Sequence, residues 1–189
     1  METKDSPRAT KDMPLIGEGA TADVYRNSDA TILKLFKKTY GAESVRYEAS
    51  IAEAIGKTDI PAAAYRGIVS LDGRDGIVYD FVPGPLLLFS LLGSSVPEAV
   101  AIAKRLAALH GAINSVRTDG LPGQKDRFSY LIGRAEGIDD TREKILAWLA
   151  SRPDERAVCH GDLHAGNVIV SDGNYVAIDW MNAYSGERE

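Results

Sequence analysis

The sequence predicts an α+β protein with two parts, residues 1–83 and 84–189. Strand-turn-strand patterns mark the first part, whereas helical patterns fill most of the second part before a compact hairpin near its end. Runs of strands followed by runs of helices are typical of α+β folds and do not match the regular alternation of α/β folds. Pro83 and Gly84 follow the last predicted strand of the first part and mark the exit of the chain from the sheet.

The composition is ordinary for a soluble globular protein, with 44% apolar and 26% charged residues. The net charge of −5 argues against nucleic-acid binding through phosphate contacts. The single cysteine, Cys159, cannot form an internal disulfide and favours a reducing compartment. Residues 1–12 lack the apolar core of a signal peptide, and the apolar run at 85–92 is much shorter than the ~20 residues of a membrane span. We therefore expect a cytoplasmic protein with no nucleic-acid and no membrane partner.

A glycine-rich stretch near the N-terminus carries Gly17, Gly19, Ala22 and Val24, against the kinase-type pattern Gly-x-Gly-x-x-Gly-x-Val. A dinucleotide-binding fold needs a helix after the glycines, but β-type residues and a turn at 27–29 follow instead. This glycine-rich stretch contains no Gly-Lys-Ser/Thr, so it is not a P-loop. An ordinary β-turn and a hairpin that covers nucleotide phosphates both fit this stretch. The absent third glycine argues against close phosphate contact at that point.

The strand that follows carries one charge, Lys34, among apolar residues. A lysine in such a strand is costly unless it is paired. The helix predicted at 41–56 offers three candidate partners, Glu43, Glu48 and Glu53, of which Glu48 lies near the middle. Either Lys34 grips phosphates while a carboxylate of this helix holds it, or it lies on a solvated strand face. Strand alternation alone does not decide between these interpretations.

The remaining elements follow from apolar periodicity and from breaks. The apolar run at 85–92 is predicted to be core that connects the two parts. A capping box at 95–98 opens a long helix. The other predictions are hairpin strands at 62–71 and 75–82, the end of the long helix near 113, a helix at 127–135, and a helix capped at 140–143.

A polar loop and a hairpin near the C-terminal end are the most informative stretch. Strands predicted at 168–170 and 175–178 place Asp162 and Asn167 on a loop that enters the hairpin, and Asp179 where the hairpin ends. Acidic and amide groups on rigid strand ends can hold a hard cation and a reacting hydroxyl.

Two structural alternatives exist for this loop. Asp162 and Asn167 taken singly could cap turns, as Asp and Asn commonly do. Cys159, His160 and His164 could form a zinc cluster together with Asp162, but no second ligand group with the usual spacing is present. Hard oxygen donors favour Mg²⁺ over Zn²⁺.

The sequence His-Gly-Asp-Leu-His-Ala-Gly-Asn at 160–167, followed by a strand and by Ile-Asp-Trp at 178–180, resembles the catalytic and metal-binding segment of the aminoglycoside phosphotransferase family. Gly-Glu-Gly at 17–19 and Lys34 extend the resemblance over most of the chain. The resemblance implies a bilobal protein kinase-like fold. Its N-terminal lobe would hold an antiparallel sheet and one helix, and its mainly helical C-terminal lobe would carry the catalytic hairpin.

The resemblance also implies a role for each matching residue. Asp162 matches the catalytic aspartate, and Asn167 and Asp179 match Mg²⁺ ligands. Lys34 matches the nucleotide-binding lysine, and Glu48 matches its paired glutamate. The remaining nucleotide-binding residues lie in the glycine-rich hairpin and in the hinge backbone that meets the adenine: Gly17, Gly19, Val24, Asp80, Phe81 and Val82. The implied reaction transfers the γ-phosphate of ATP to a hydroxyl group of a small molecule.

Members of this family usually continue with further helices after the residue that matches Asp179, whereas this chain ends ten residues later. We therefore expect a short C-terminal lobe in which acceptor recognition is incomplete. Two other functions stay open. One is a protein kinase, although the usual His-Arg-Asp and Asp-Phe-Gly sequences are missing, and the other is a nucleotide-binding protein without turnover. The acceptor, the choice of ATP or GTP, and the oligomeric state are also open.

Overall fold

The computed structural model describes residues 10–188. Its N-terminal part is built on a five-stranded antiparallel sheet with the strand order β1-β2-β3-β5-β4. The strands are β1 (Leu15–Glu18), β2 (Ala22–Arg26), β3 (Thr31–Phe36), β4 (Tyr65–Leu71) and β5 (Arg74–Asp80). Both predicted hairpins are therefore present. Most of the segment used in the signal-peptide argument, residues 1–9, lies outside the described residues.

Helix α1 (Ala42–Ile55) contacts β4 and β5 and matches the helix predicted at 41–56. Its apolar residues recur at helical spacing and form its buried face. This face also contains a charged residue, Glu48, which is only 1% exposed. A carboxylate in such surroundings needs a partner, because burial without one is costly.

The C-terminal part is mainly helical and ends in short strands. Its helices are α2 (Leu87–Leu92), α3 (Val96–Ser115), α4 (Gln124–Arg134) and α5 (Asp139–Ala150). Its strands form two antiparallel pairs, β6 (Ala157–Cys159) with β9 (Tyr184–Gly186) and β7 (Val168–Ser171) with β8 (Asn174–Ala177). Within residues 10–188, no helix combines the length and the apolar character needed to cross a membrane.

The starts of α3 and α5 can be compared with the predicted N-terminal caps. Ser95 and Glu98 form the predicted capping box at the start of α3. The cap predicted at 140–143 is wrong, because α5 already begins at Asp139 and its N-cap position, Ile138, makes no side-chain cap hydrogen bond. Acidic residues in the first turn of α5 interact favourably with the helix dipole instead.

The apolar run at 85–92 forms α2 and is only partly core. Leu87 is 1% exposed, whereas Phe89 and Leu92 are 64% and 75% exposed. A helix buries one face against its neighbours, so a segment that is apolar all round leaves side chains in solvent unless it is covered on every side. The prediction that this run is core therefore holds for Leu87 but fails for the outer face of α2.

A hydrophobic core crosses the division predicted near residue 83. Ile51, Ile55 and Ile60 of the N-terminal part belong to the same buried cluster as side chains from the C-terminal part. The C-terminal members are Leu87, Leu109, Ile113, Val158, Ala165, Val168, Tyr175, Ala177, Trp180 and Ala183. The second half of α1 therefore packs into the C-terminal part, and a division into two domains at this point remains a prediction.

The β7–β8 hairpin is hydrogen-bonded to the connection between the two parts and to the loop between α1 and β4. The N–H of Val170 donates to the carbonyl of Pro85 at 2.9 Å, and the N–H of Ala177 donates to the carbonyl of Pro61 at 3.0 Å. Gly84 has a φ of 131°, and a Cβ atom there would overlap the carbonyl oxygen of Val170. Only glycine combines this backbone conformation with so close an approach. The hairpin is thereby fixed against the connection between the lobes.

Candidate active site

The side chain of Lys34 bridges two carboxylates that come from distant elements. Its ammonium group, on β3, donates to Oε1 and Oε2 of Glu48 at 2.8 and 3.0 Å. It also donates to Oδ1 of Asp179 at 2.9 Å. The Lys34 side chain is 12% exposed and that of Glu48 is 2% exposed. The structure therefore places Lys34 in a buried ionic cluster between the two lobes and not on a solvated strand face.

Tyr79 completes this cluster. Its hydroxyl, on β5, donates to Oε1 of Glu48 at 3.1 Å. Local sequence patterns do not indicate Tyr79, because its relation to Glu48 depends on how β5 pairs with β3. The structure pairs Tyr79 with Ile32, two positions from Lys34 on the neighbouring strand. A buried tyrosine usually finds a hydrogen-bond partner, so a tyrosine on a strand beside the lysine strand was a usable signal.

Electrostatics favour a charged lysine in the cluster. Burial alone lowers the pKa of Lys34, but the charges of Glu48 and Asp179 and their hydrogen bonds outweigh burial, so the pKa lies above its usual 10.5. Burial raises the pKa of Glu48, against the opposing effects of Lys34 and Tyr79. Burial and the charge of Glu48 raise the pKa of Tyr79 well above 10.0, so its hydroxyl stays a donor.

Asp162 and Asn167 face each other across the loop at 160–167. Nδ2 of Asn167 donates to the backbone oxygen of Asp162 at 3.0 Å and lies 3.3 Å from its Oδ2 atom. Because the amide nitrogen is engaged in this way, the amide oxygen of Asn167 is directed away from Asp162. The Asp162 side chain is 47% exposed, so a molecule from solvent can reach its carboxylate.

Two histidines order this loop. Nδ1 of His164 accepts a hydrogen bond from the N–H of Gly166 at 3.0 Å, and its Nε2 lies 3.8 Å from Oδ1 of Asp162. Nε2 of His160 lies 3.1 Å from the carbonyl oxygen of Ile178. Among residues 10–188, no three side chains of the types His, Cys, Asp and Glu gather into a possible metal centre, which gives no support to the zinc interpretation.

Asp179 adopts a left-handed backbone conformation, with φ and ψ both at 62°. Few residues other than glycine do so, although aspartate tolerates it better than most. The 3₁₀ turn Trp180–Asn182 follows directly, and Trp180 anchors it by donating from Nε1 to the carbonyl of Ala177 at 3.1 Å. The chain therefore leaves β8 abruptly at Asp179, whose carboxylate lies against Lys34 on the other lobe.

The glycine-rich stretch forms the β1–β2 hairpin, in which Gly17 lies opposite Val24. The turn is closed by the N–H of Gly19, which donates to the carbonyl of Ala22 at 2.9 Å. Ala22 occupies the place of the third glycine and is 2% exposed, in a cluster that includes Phe36. Its methyl group is therefore part of the core, which explains why alanine is favourable at this position.

Asp80, Phe81 and Val82 leave β5 towards the second lobe. The N–H of Asp80 donates to the carbonyl of Ala64, and that of Phe81 donates to the carbonyl of Ala30, both at 2.8 Å. Within the described part of the chain, the N–H of Val82 has no hydrogen-bond partner. Of the three predicted hinge residues, Val82 is therefore the one whose N–H can donate to a bound molecule.

The two-lobed arrangement is that of the protein kinase-like phosphotransferases. The chain belongs to the phosphotransferase enzyme family APH, whose family model matches residues 12–188. The family resemblance drawn from the loop at 160–167 is thereby confirmed. No sequence among curated proteins matches this chain.

Solved structures confirm the predicted fold. An aminoglycoside-3′-phosphotransferase of type VIII is 21% identical, with a TM-score of 0.65 over 94% of this chain and 73% of the other. APH(2″)-IIa, in a ternary complex with streptomycin and ATP, is 17% identical, with a TM-score of 0.63 over 94% and 68% of the two chains. The macrolide 2′-phosphotransferase MphH from Brachybacterium faecium is 19% identical, with a TM-score of 0.54 over 93% and 67%. Similarity at these identities establishes a shared fold.

Proposed function

We propose that this protein is an ATP-dependent phosphotransferase that transfers the γ-phosphate to a hydroxyl group of a small molecule. The observation that carries the proposal is the meeting of Lys34, Glu48 and Asp179 in one ionic cluster between the lobes. The Asp162–Asn167 pair lies on the loop that leads into the same hairpin. Phosphoryl transfer depends on positioning and charge neutralisation, and these groups are suited to both tasks.

Lys34 supplies the positive charge for the phosphates of ATP. Its raised pKa keeps it protonated at neutral pH, and Glu48 holds it at two oxygens. Tyr79 holds Glu48 in turn, so the ammonium group is oriented before any ligand arrives. Such preorganisation reduces the conformational entropy that binding would otherwise cost. In the nucleotide complex, phosphate oxygens accept the hydrogen bond that Lys34 otherwise donates to Asp179.

Asp162 orients the acceptor. Its half-exposed carboxylate accepts a hydrogen bond from the acceptor hydroxyl, whose oxygen then attacks the γ-phosphorus as the bond to the bridging oxygen of ADP breaks. The acceptor proton passes to a carboxylate oxygen of Asp162, and ADP departs with the bonding electron pair. Asn167 keeps the Asp162 carboxylate and backbone in place through its amide nitrogen.

The residues present fit a Mg²⁺ ion. The amide oxygen of Asn167 and the carboxylate of Asp179 are the donors that would hold it, since Asn167 bonds Asp162 through its nitrogen and turns its oxygen elsewhere. One or two protein oxygens, with phosphates and water at the other positions, are the usual environment of Mg²⁺ in proteins. When bound, Mg²⁺ neutralises charge on the phosphate oxygens.

The nucleotide base would meet the hinge, and the phosphates would meet the β1–β2 hairpin. The N–H of Val82 is the hinge donor for the adenine, and the backbones of Asp80 and Phe81 line the same segment. Gly17, Gly19 and Val24 form the hairpin over the phosphates. The related structures support binding of a nucleotide and of an acceptor the size of an antibiotic. They include complexes with ATP, ADP, GDP, streptomycin, gentamicin, kanamycin and hygromycin B.

Nucleotide binding tests the proposal first. Thermal unfolding of the native chain with ATP is measured with and without Mg²⁺, and compared with Asp179→Asn. The control is Asp172→Asn, because Asp172 and Asp179 share a positive φ, of 47° and 62°, but Asp172 lies in the β7–β8 turn. A ligand at a hundredfold excess over its Kd stabilises by ~2.7 kcal/mol. A Mg²⁺-dependent shift that disappears only in Asp179→Asn is the expected result.

Transfer is then measured with γ-labelled ATP against a panel of amino sugars, macrolides, choline and simple alcohols. Label on a small molecule, lost in Asp162→Asn, is the expected result. Tight Mg·ATP binding without transfer to any acceptor would favour a nucleotide-binding protein without turnover. Label on added proteins would favour a protein kinase. No Mg·ATP shift in the folded native chain would reject the proposed function.

A further inference from the structure

The guanidinium group of Arg127 joins two segments that flank the ionic cluster. Arg127 lies in the first turns of α4. Its Nη1 donates to the hydroxyl oxygen of Tyr47 at 2.6 Å, and its Nη2 donates to Oδ1 of Asn182 at 2.9 Å. Tyr47 belongs to α1 on the N-terminal lobe, whereas Asn182 and Arg127 belong to the C-terminal lobe. One side chain therefore forms a hydrogen-bonded bridge between the lobes.

Both partners of Arg127 lie close in the sequence to proposed active-site residues. Tyr47 immediately precedes Glu48 in α1, and Asn182 ends the 3₁₀ turn that begins after Asp179. The carbonyl of Asn182 also lies directly against Gly161, where a Cβ atom would overlap it. Gly161 has a φ of 76° and precedes Asp162. The two residues that Arg127 joins therefore lie next to Glu48, three residues from Asp179 and, through the Asn182 carbonyl, against the glycine before Asp162.

Helix α4, which carries Arg127, is fixed to the C-terminal lobe by side-chain contacts. The next residue, Phe128, packs edge-on against Tyr184 of β9 with ring centres 5.1 Å apart. At the start of α4, Oε1 of Gln124 accepts a hydrogen bond from the N–H of Glu187 at 2.8 Å. Because β9 pairs with β6, the strand that leads into the loop at 160–167, α4 is fixed to the C-terminal lobe close to the site.

The chemistry of the bridge requires arginine. Its planar fork presents two N–H donors to two different acceptors, and both hydrogen bonds gain from its permanent charge. A lysine carries the same charge but as a single point at the end of a flexible chain. The Tyr47 and Asn182 acceptors lie on different elements. A guanidinium group that binds both therefore restricts the distance between those elements.

We propose that Arg127 is a positioning residue for phosphoryl transfer, which fixes α1 relative to the segment from Asp179 to Asn182. The inference rests on the proposed function. The Lys34–Asp179 contact also joins the lobes at this place. That contact weakens once both charged groups turn to the nucleotide, whereas the Arg127 bridge uses no group that the nucleotide needs. It therefore remains in place during the reaction and, together with the shared hydrophobic core, orients α1 against the 3₁₀ turn.

The test measures Mg·ATP affinity and Mg²⁺-free ADP affinity by calorimetric titration of Arg127→Ala. The matched control is Arg134→Ala, which removes the same side chain from the exposed end of the same helix, where Arg134 contacts Tyr130. We expect Arg127→Ala to weaken Mg·ATP about tenfold, as for loss of charge-assisted hydrogen bonds, and to change Mg²⁺-free ADP by less than about threefold. Arg134→Ala should change neither affinity.

Two milder variants guard against unfolding. Tyr47→Phe removes only the hydroxyl, and Asn182→Ala removes only the second acceptor. Each should weaken Mg·ATP by about threefold, and Tyr47→Phe should have no further effect in Arg127→Ala, since both changes remove the same bond. Arg127→Lys should recover part of the affinity. Hydrogen exchange of residues 42–55 should quicken in Arg127→Ala but not in Arg134→Ala.

The outcomes separate this inference from the proposed function. If the native chain binds Mg·ATP and Arg127→Ala binds it equally well, the positioning role of Arg127 is rejected and the proposed function stands. The same rejection follows if Tyr47→Phe and Arg127→Ala have independent effects on Mg·ATP affinity. If the folded native chain binds no Mg·ATP, the proposed function fails, and the inference that rests on it fails too.

Discussion

Lys34 and Asp179 are 145 positions apart in the sequence, yet Nζ of the first lies 2.9 Å from Oδ1 of the second. The contact completes a row of alternating charge, Glu48–Lys34–Asp179, between the two lobes. The inner end of this row is nearly inaccessible to water, whereas the Asp179 side chain at the outer end is 46% exposed. Glu48 therefore depends on Lys34 for its compensating charge, whereas the carboxylate of Asp179 is accessible to solvent.

Removing the lysine should destabilise the fold as well as the site. Lys34→Met leaves the Glu48 carboxylate buried without its cation, and breaking a buried pair in this way costs about 3–5 kcal/mol. Lys57→Met is the control, because Lys57 forms an exposed pair with Glu53 and should cost less than about 0.5 kcal/mol. Urea denaturation measures both. Adding Glu48→Gln to Lys34→Met should restore part of the lost stability, and a full additive loss would contradict the account.

Asp162 should matter for transfer and little for nucleotide binding. Asp162→Asn keeps the shape of the side chain but cannot accept the acceptor proton, so the transfer rate should fall by about 10²–10⁴-fold. Mg·ATP affinity should stay within about threefold, because the nucleotide groups bind elsewhere. Single-turnover transfer of labelled phosphate measures the first and calorimetric titration the second. Equal losses in rate and affinity would instead assign Asp162 to nucleotide binding.

The capping box of α3 predicts a dependence of stability on pH. Hydrogen bonds from Ser95 lower the pKa of Glu98 below its usual 4.5. The unfolded chain therefore binds this proton more readily, so the stabilisation from Glu98 is complete above pH 4.5 and is lost as pH falls through the lowered pKa. The difference in urea midpoint between the native chain and Glu98→Gln should be constant from pH 5 to 7 and shrink below pH 4.5. A difference that grows in acid would have the wrong sign.

Substitution of Gly84 should damage the junction of the lobes. Gly84→Ala introduces a methyl group onto the carbonyl of Val170 at a φ of 131°, and we expect a loss of about 3 kcal/mol or more. Gly73→Ala is the control, because Gly73 has a φ of 70° but nothing within 4 Å of the added atom. It should lose only about 1 kcal/mol. Equal losses in the two variants would show that backbone conformation matters and close approach does not.

Local patterns predicted much of the fold. Hairpins and α1 follow from residue spacing and turn residues that act over a few positions, and the structure reproduces them. The exposed side of α2 was missed, because hydrophobicity along the chain does not tell which faces have neighbours. The start of α5 was also missed, because a cap-like sequence competes with acidic residues that are equally favourable in a first turn.

The site required more than local pattern. Alternation on β3 could not tell whether Lys34 is solvated, and the pairing of Lys34 with Asp179 depends on chain topology. The family resemblance supplied the order of these residues, but it did not indicate Tyr79 or Arg127. An arginine in the first turns of a polar helix looks like any solvated charge. Only the tertiary structure, which brings Tyr47 and Asn182 within hydrogen-bond distance of its guanidinium group, gives it partners.

The hydrophobic core that includes Ile51, Ile55 and Ile60 together with C-terminal side chains limits how this chain can recombine with its relatives. A crossover at the hinge would look natural from the two-lobed shape, but it would pair the end of one α1 with a foreign set of core residues. Chimeras joined there should express poorly unless the core residues of α1 and the following loop match those of the new C-terminal lobe. Because Val45 and Ala49 of the same helix pack against residues of the sheet, α1 belongs to both cores, and no single crossover point separates them.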